Sequence, residues 1–198
     1  MDGSYNSLKG KSEAIIKEKG SKFIGYSRAV CSHEEADTFL AEIKSLHAKA
    51  RHHCFAWRIG HPDVEERAND DGEPSGTAGR PILGQLVKLD LTDAMVVVVR
   101  YFGGIKLGVG GLIVAYKTAS SEAIQANTII TAVVTETVKF TFDYQDMNDV
   151  MRLIKEDDLQ IVQQHFDNRC TMTLSVREAL MEKARNHLQQ IPSLTLED

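Results

Sequence analysis

Cysteine is scarce in this 198-residue chain: Cys31, Cys54 and Cys170 are an odd number and lie far apart. A small secreted fold held by disulfides needs paired, closely repeated cysteines, so this pattern excludes that class and favours a reducing compartment. A chain of this length needs no such cross-links, because it can bury a core as one large domain or two small ones.

Long hydrophobic runs are absent as well. The longest, residues 94–99, is far shorter than the roughly 20 residues that a membrane-spanning helix requires. The first residues, Met1-Asp2-Gly3-Ser4, contain neither the basic nor the apolar segment of a secretory signal. We therefore expect a soluble, cytoplasmic protein without a membrane partner.

The charge is uneven beneath a net value of −5. Residues 137–198 carry 7 basic and 11 acidic side chains, whereas residues 1–136 carry 16 and 17. Two stretches of the first part, residues 43–62 and 94–121, contain no acid at all. Such a local basic surface suits an anionic partner, but acids elsewhere on the same face would cancel its field, and both interpretations stay open.

The C-terminal third alternates between strand and helix patterns. Val138, Phe140 and Phe142 occupy every second position, as in a half-buried strand, and helical spacing follows between Met147 and Ile154. Strands at 159–164 and 171–176, a helix at 180–188 and a last strand near 194–196 complete the order βαββαβ. The capping-box spacing of residues 175–178 predicts where the second helix begins. This order predicts a ferredoxin-like domain.

The N-terminal part begins with a predicted hairpin, residues 13–19 and 22–30. Ser32 and Glu35 have capping-box spacing, and an amphipathic helix follows them. We then predict a strand at 53–57, a turn-rich stretch at 60–81 with a short helix after it, a strand at 94–100 buried on both faces, and a helix ending near residue 127. The prediction is an α+β chain of two domains, 1–135 and 136–198.

Five glycines stand between the strand at 94–100 and that last helix: Gly103, Gly104, Gly108, Gly110 and Gly111. Bare backbone N–H groups at a helix N-terminus can hold a phosphate. The segment is neither a Walker A loop, since Leu107 follows Lys106, nor a G-x-G-x-x-G fingerprint. Contact with phosphate or nucleic acid and tight packing of helix on strand both explain the glycines, and we leave the choice open.

A polar segment at residues 70–81 reads DDGEPSGTAGRP. Its three carboxylates suit a divalent metal, but a turn with helix-capping acids explains them equally well, so the metal is left undecided. No G-x-S-x-G elbow or His–Asp partnership supports a nucleophile here, and no catalytic residue or cofactor is assigned. The candidate residues of this loop are Asp70, Asp71, Gly72, Glu73, Pro74, Ser75, Gly76, Thr77, Gly79 and Arg80.

Two smaller features complete the candidate site. His52 directly precedes the strand predicted at 53–57, and Cys54 lies within it. Two residues apart on an extended chain, their side chains point the same way, as a thiol–imidazole pair or two metal ligands would require. A buried thiol beside a hydrogen-bonded imidazole is the alternative. Among the aromatic residues, Tyr101 is the one we expect to be exposed for stacking on bases, because it ends a strand.

At these residues the chain resembles the IMPACT/YigZ family. The resemblance is carried by DDGEPSGTAGRP at 70–81, by RYFGGIKLG at 100–108 and by GGL at 110–112, and it extends over essentially the whole chain. Lys22-Phe23-Ile24 and His52-x-Cys54 also fit the family pattern. Arg51, His53 and Ile113-Val114 depart from the residues more usual there.

The resemblance implies a fold and a role. It implies an N-terminal domain similar to the second domain of small-subunit ribosomal protein five and to domain four of elongation factor G, followed by a ferredoxin-like domain. It also implies a part in translation. Eukaryotic members of the family regulate initiation by competing for the activator of an initiation-factor kinase, and they use an additional N-terminal domain to do so. Fold alone does not determine function.

The sequence therefore leads to two functional hypotheses. The first is a non-catalytic regulator of translation that binds RNA, the ribosome or a translation factor through a face built from 70–81 and 100–111. In that face Arg80, Arg100 and Lys106 would neutralise phosphates. The alternative is a metal-assisted enzyme acting on a phosphorylated or nucleotide-like small molecule, with Asp70, Asp71 and Glu73 holding the metal. We expect the two motifs to meet in space.

Overall fold

The computed structural model describes residues 3–197. The helices are α1 (His33–Leu46), α2 (Gly79–Lys88), α3 (Gly108–Gln125), α4 (Met147–Glu156) and α5 (Met181–Leu188). The strands are β1 (Ser4–Lys9), β2 (Lys11–Glu18), β3 (Ser21–Ala29), β4 (His52–Ile59), β5 (Glu65–Asn69), β6 (Ala94–Tyr101), β7 (Thr128–Val133), β8 (Thr135–Phe142), β9 (Gln160–Phe166), β10 (Cys170–Arg177) and β11 (Thr195–Glu197).

The chain divides into two compact units. One comprises Tyr5–Ala132, and the other the described residues 3–4 and 133–197. Residue 135, the last of our predicted first domain, is the first residue of β8. No helix among residues 3–197 combines the length and the hydropathy that crossing a bilayer would take.

The N-terminal unit is built on a five-stranded antiparallel sheet in the order β2-β3-β6-β4-β5. The central strand β6 is buried on both faces, as its unbroken apolar run predicted. Its odd-numbered residues pack with α1, whose Phe39 and Ile43 are fully buried. Its even-numbered residues pack with α2 and α3 on the opposite face. Arg100 therefore extends from β6 toward the α2–α3 side.

Helix α3 lies very close to β3. Gly25 of β3 has no room for a side chain, because a Cβ there would sit 2.4 Å from the Ala119 carbonyl oxygen. Nearby, the hydroxyl groups of Ser12 and Ser27 donate to the Ala123 carbonyl oxygen at 2.6 and 3.2 Å. The glycine thus permits a helix–strand approach that any other residue would obstruct.

The C-terminal unit has the element order βαββαβ that its hydrophobic pattern predicted. Its antiparallel sheet runs β11-β8-β10-β9, and α4 and α5 cover one face through Val150, Ile154, Ala184 and Leu188. The predicted start of the second helix was wrong: Ser175 lies within β10, and α5 begins at Met181 without a side-chain cap.

Two other strands, β1 and β5, were not predicted. Strands β1 and β7 pair with each other, and β5 occupies part of the stretch that we had assigned to turns. All five residues of β5 are exposed, so the strand has no apolar alternation by which the sequence could reveal it.

We expect Gly25→Ala to lower the free energy of unfolding by about 1–3 kcal/mol, because the added methyl group overpacks the contact with α3. Urea denaturation followed by circular dichroism measures the effect. Gly84→Ala in α2 is the matched control, since a Cβ there meets nothing within 4 Å. The control should be stabilised by roughly 0.5–1 kcal/mol; equal effects of the two substitutions would contradict the close approach.

Candidate functional site

The loop that leads from β5 into α2 is organised by Asp70. Its carboxylate accepts the backbone N–H groups of Gly76, Ala78 and Gly79 at 2.8, 2.9 and 2.8 Å. Burial works to raise the pKa of Asp70, but these N–H groups and the nearby Arg80 hold that pKa below its ordinary value. Asp70 thus acts as an ionised cap on the first turn of α2.

Asp71 and Gly72 tie the same loop to β4. Both have a left-handed backbone, with φ of 40° and 85°. The Asp71 carboxylate accepts the backbone N–H of His53 at 2.6 Å, and its carbonyl oxygen accepts the Nδ1–H of His52 at 2.8 Å. The loop is therefore fastened across the end of the sheet.

Below the loop lies a buried polar network centred on Glu73, whose side chain is only 4% exposed. Its Oε1 accepts Nη1–H of Arg100 at 2.7 Å and the hydroxyl of Tyr116 at 2.8 Å. The Tyr116 hydroxyl in turn lies 3.3 Å from Sγ of Cys54, which is also 3.0 Å from the carbonyl oxygen of Asp70. One carboxylate thus joins β6, α3 and the loop.

The buried guanidinium of Arg100 has aromatic neighbours as well as its carboxylate. Phe23, Arg100 and His52 share one row across β3, β6 and β4. The Arg100 Cζ lies 5.4 Å from the ring centre of Phe23 and 5.5 Å from that of Phe102, within range of cation–π attraction. Its Nε is buried without a hydrogen-bond partner among the described residues.

This geometry corrects the assignment of Arg100 as a phosphate ligand. The side chain is 7% exposed and its charge is compensated by Glu73, so it supports the loop from beneath. The two motifs do meet, as expected, and Arg100 with Glu73 is the contact that joins them.

The three carboxylates of the loop do not converge as metal ligands. Asp70 binds backbone N–H groups, Asp71 binds β4, and Glu73 is enclosed by Arg100 and Tyr116. Within residues 3–197 no three His, Cys, Asp or Glu side chains are grouped as a metal site would require. The alternative of a turn with helix-capping acids holds for Asp70 only, and the other two carboxylates form structural contacts with β4, β6 and α3.

His52 and Cys54 lie on the same face of β4, but they are not bonded to each other: His52 binds the Asp71 carbonyl and Cys54 lies between Asp70 and Tyr116. Burial raises the pKa of the Cys54 thiol, and the carboxylates of Glu73, Asp71 and Asp70 add to the effect, although the Tyr116 hydroxyl lowers it. A thiol in this state is a poor nucleophile. These contacts fit the alternative of a buried thiol beside a hydrogen-bonded imidazole.

The hydroxyl residues of the loop have structural contacts or open surroundings. Thr77 is buried and its hydroxyl donates to the Pro74 carbonyl oxygen at 2.6 Å, while Ser75 is exposed. Tyr101, expected to be the exposed aromatic residue, is half-buried and its hydroxyl lies 3.0 Å from Nδ1 of His47. Its neighbour Phe102 is 56% exposed, so Phe102 and not Tyr101 is the exposed aromatic residue after β6.

The glycine loop forms the exposed part of the site. Residues 102–106 are all exposed, and α3 begins at Gly108 without a side-chain cap. Gly103 is explained by packing, since its Cβ would lie 1.9 Å from the Gly20 carbonyl carbon. Gly111 packs against Leu107, with 3.0 Å between its Cβ position and Leu107 Cβ.

The remaining glycines of the loop are not crowded. Gly104 and Gly108 have positive φ, of 89° and 73°, and open space at the Cβ position. Gly110 has open space and a helical position, where alanine would be favoured by roughly 0.5–1 kcal/mol. Packing therefore explains Gly103 and Gly111, a left-handed backbone explains Gly104 and Gly108, and neither requirement applies to Gly110.

Sequence reasoning missed Tyr116 and Phe23 as members of the network. The signal for Tyr116 was present: it is the one large polar aromatic residue in a helix of small residues. Nothing local distinguishes Phe23 from an ordinary core residue, because only the register of β3 on β6 places it beside Arg100.

We expect Glu73→Ala to lower the free energy of unfolding by about 3–5 kcal/mol, because it leaves the buried Arg100 without its counter-charge. Urea unfolding of Glu73→Ala, of Glu122→Ala and of the double variant Glu73→Leu/Arg100→Met tests this. Glu122 is exposed on α3, so Glu122→Ala should change the free energy of unfolding by no more than about 0.5 kcal/mol. The double variant should recover part of the loss; no recovery would contradict a dominant ion-pair effect.

Asp70→Asn should reduce the acid sensitivity of folding. Because the folded chain holds the pKa of Asp70 low, its stabilisation is present above the unfolded value of about 3.9 and is lost as the pH falls through the folded value. The stability gap between parent and variant should therefore be widest near neutral pH and shrink below about pH 4. Urea midpoints across a pH series measure it, and a gap independent of pH would refute the proposed role of the charge.

Comparison with known proteins identifies the family. The model of the Impact N-terminal domain matches residues 19–124. IMPACT family member YvyE of Bacillus subtilis (strain 168) is 37% identical over 175 residues, which cover 88% of this chain and 81% of that protein. IMPACT family member YigZ of Escherichia coli (strain K12) is 36% identical over 157 residues, covering 77% and 76%.

A solved structure supports the same relationship across both units. The crystal structure of a hypothetical protein superposes with a TM-score of 0.75 at 28% identity, covering 99% of this chain and 97% of the other. The sequence match to YvyE covers 88% of this chain and the structural superposition covers 99% of it, so both comparisons extend over nearly the whole chain. The chain belongs to the IMPACT family.

Proposed function

We propose that this chain is a non-catalytic regulator of translation that binds RNA, the ribosome or a translation factor through its glycine-rich face. We define that face as Arg80 together with residues 102–111. The observation that carries the proposal is Gly110, an exposed helical glycine with neither a backbone nor a packing requirement. A partner that approaches the backbone closely gives such a glycine its physical reason.

The charge and dipole of this face suit an anionic group. Arg80 and Lys106 are exposed, and neither forms an ion pair within residues 3–197. The first turn of α3 has backbone N–H groups that no intrahelical carbonyl can accept, and Leu107 provides no side-chain cap. A helix N-terminus of this kind favours a phosphate or carboxylate.

The enzymatic alternative has less support. It requires Asp70, Asp71 and Glu73 to hold a metal, yet their oxygens already bind backbone N–H groups, Arg100 and Tyr116. Glu73 also lacks the exposure that a general base acting on a small molecule needs. We therefore assign the loop a supporting role under the glycine-rich face.

The link to translation comes from the domain resemblance. The IMPACT-type domain is proposed to share the fold of the second domain of small-subunit ribosomal protein five and of domain four of elongation factor G. The βαββαβ unit is proposed to be ferredoxin-like, as is domain five of that factor. This step is an analogy of fold, so the ligand itself must be established by binding.

The test is binding of the full chain to fluorescein-labelled single-stranded RNA and to purified ribosomal subunits, over a salt series. Lys106→Ala and Arg80→Ala should each weaken RNA binding, and each should lower the slope of log K against log salt by roughly 0.7, the value for one lost phosphate contact on a single strand.

Lys44→Ala is the matched control. Lys44 is exposed on α1, which covers the opposite face of the sheet. Salt-steep binding that the control leaves unchanged supports an anionic ligand at the glycine-rich face. Binding that is absent, independent of salt, or equally affected by the control would reject RNA as the ligand.

A further inference from the structure

A groove of about 380 Å³ overlaps the glycine-rich face at Leu107, Gly110 and Gly111. It lies between the end of the β2–β3 hairpin and the N-terminal half of α3. Its apolar lining includes Ile16, Leu107, Val114 and Ala115, and the bare backbone of Gly110 and Gly111 forms part of its wall. The hydrogen bond from Gly103 N–H to the Ser21 hydroxyl, 3.2 Å, fastens the glycine loop to the turn at one end of the groove.

One large apolar side chain is exposed in the groove itself: Val114 is 64% exposed and lines it beside Ile16 and Ala115. In the loop that leads to α3, Phe102 and Ile105 are 56% and 57% exposed. Single exposed apolar residues are common on protein surfaces, but one that lines a groove with an apolar wall is typical of a protein-interaction site.

Positive charge surrounds the apolar lining. Lys17 and Lys19 line the groove with a single acid, Glu18, and Lys106 directly precedes Leu107. None of the three lysines forms an ion pair with another described residue. Acidic groups on a partner would find them available, and such rim charges increase the association rate and the specificity.

Three occupants can be compared against these features. A second copy of the same groove would bring lysines against lysines, which like-charge repulsion disfavours. Single-stranded RNA gains affinity by stacking bases on aromatic rings, whereas the groove has no aromatic side chain among the described residues that line it. A protein segment with apolar anchors and flanking acids satisfies both the lining and the charge.

We infer that the groove binds an acidic amphipathic helix of a protein partner, with apolar side chains of that helix seated between the β2–β3 hairpin and α3. The inference rests on the proposed function, because it names the class of partner for the part of the glycine-rich face that lines the groove. The binding mode is that of an apolar helix face laid into a groove, with anchors at i, i+3, i+4 and i+7.

The experiment uses two designed peptides of about 14 residues as probes. Both carry leucines at i, i+3, i+4 and i+7; one has glutamates at the remaining positions and its twin has lysines. Each is titrated into the ¹⁵N-labelled full chain while amide chemical shifts are followed, and fluorescence anisotropy measures the affinity. A short single-stranded RNA is titrated in parallel.

The acidic peptide should bind saturably and shift the amides of Gly110, Gly111 and Val114, while the basic twin should bind at least roughly tenfold more weakly. Val114→Glu should weaken the acidic peptide by about tenfold or more, by placing a like charge in the groove. Val87→Glu is the matched control, an exposed helical valine on α2 that does not line the groove; it should have no effect. Lys17→Glu/Lys19→Glu gives a second, charge-only variant with the same expected loss.

Several results would overturn the inference. Equal binding of the two peptides would mean unspecific apolar contact, and binding unaffected by Val114→Glu would place the peptide elsewhere. Shifts of the groove amides by RNA but not by the acidic peptide would assign the groove to RNA. Self-association of the chain that Val114→Glu abolishes would assign it to a second copy.

The two proposals can fail separately. Peptide binding without any RNA or ribosome binding would leave the groove assignment standing and remove the phosphate role of Arg80 and Lys106. Salt-steep RNA binding without peptide binding would support the phosphate role of Arg80 and Lys106 and remove the groove assignment.

Discussion

The carboxylate of Glu73 is the interaction on which the candidate site depends. It accepts hydrogen bonds from Arg100 on the central strand and Tyr116 on α3, and it does so where all three side chains are removed from water. A buried ion pair gains little over an apolar contact of the same shape, but removal of one partner leaves an uncompensated charge. This pair therefore holds the loop at 70–78 in a single position over the sheet, and the exposed glycine loop begins two residues after Arg100.

A second constraint is the close approach between backbone segments. Gly25 lets α3 lie against β3, and Gly103 lets the glycine loop lie against the β2–β3 turn. The first contact fixes the C-terminal half of α3 on β3, at Ala119, and the second fixes the loop before α3 on the hairpin end. The groove between the hairpin end and α3 is therefore part of the packed unit. The exposed Lys106 and Phe102 project from this supported segment, so a partner would meet a surface that is already formed.

Local patterns predicted the fold where one face of an element is buried. The alternation at Val138, Phe140 and Phe142, the stripe of α1 and the continuous run of β6 all gave correct elements, because burial imposes the period of the structure on the residues. The cap at Ser32 was also correct, with its hydroxyl accepting the Glu35 N–H at 3.2 Å. The same spacing at Ser175 was wrong, because pairing with β8 and β9 kept that residue in a strand.

By itself, the sequence determined the mixed helix-and-strand fold class, the element order of the C-terminal unit and the family. Composition, hydrophobic periodicity and long motifs are local properties of the chain. Which side chains of the motifs face a partner was decided by the tertiary structure alone. Arg100 and Lys106 are both cations of one motif, yet the register of β6 beside β3 and β4 buries the first against Glu73, while the loop after β6 leaves the second in water. The burial of Arg100 depends on residues distant in sequence, and nothing local to the motif distinguishes Arg100 from Lys106.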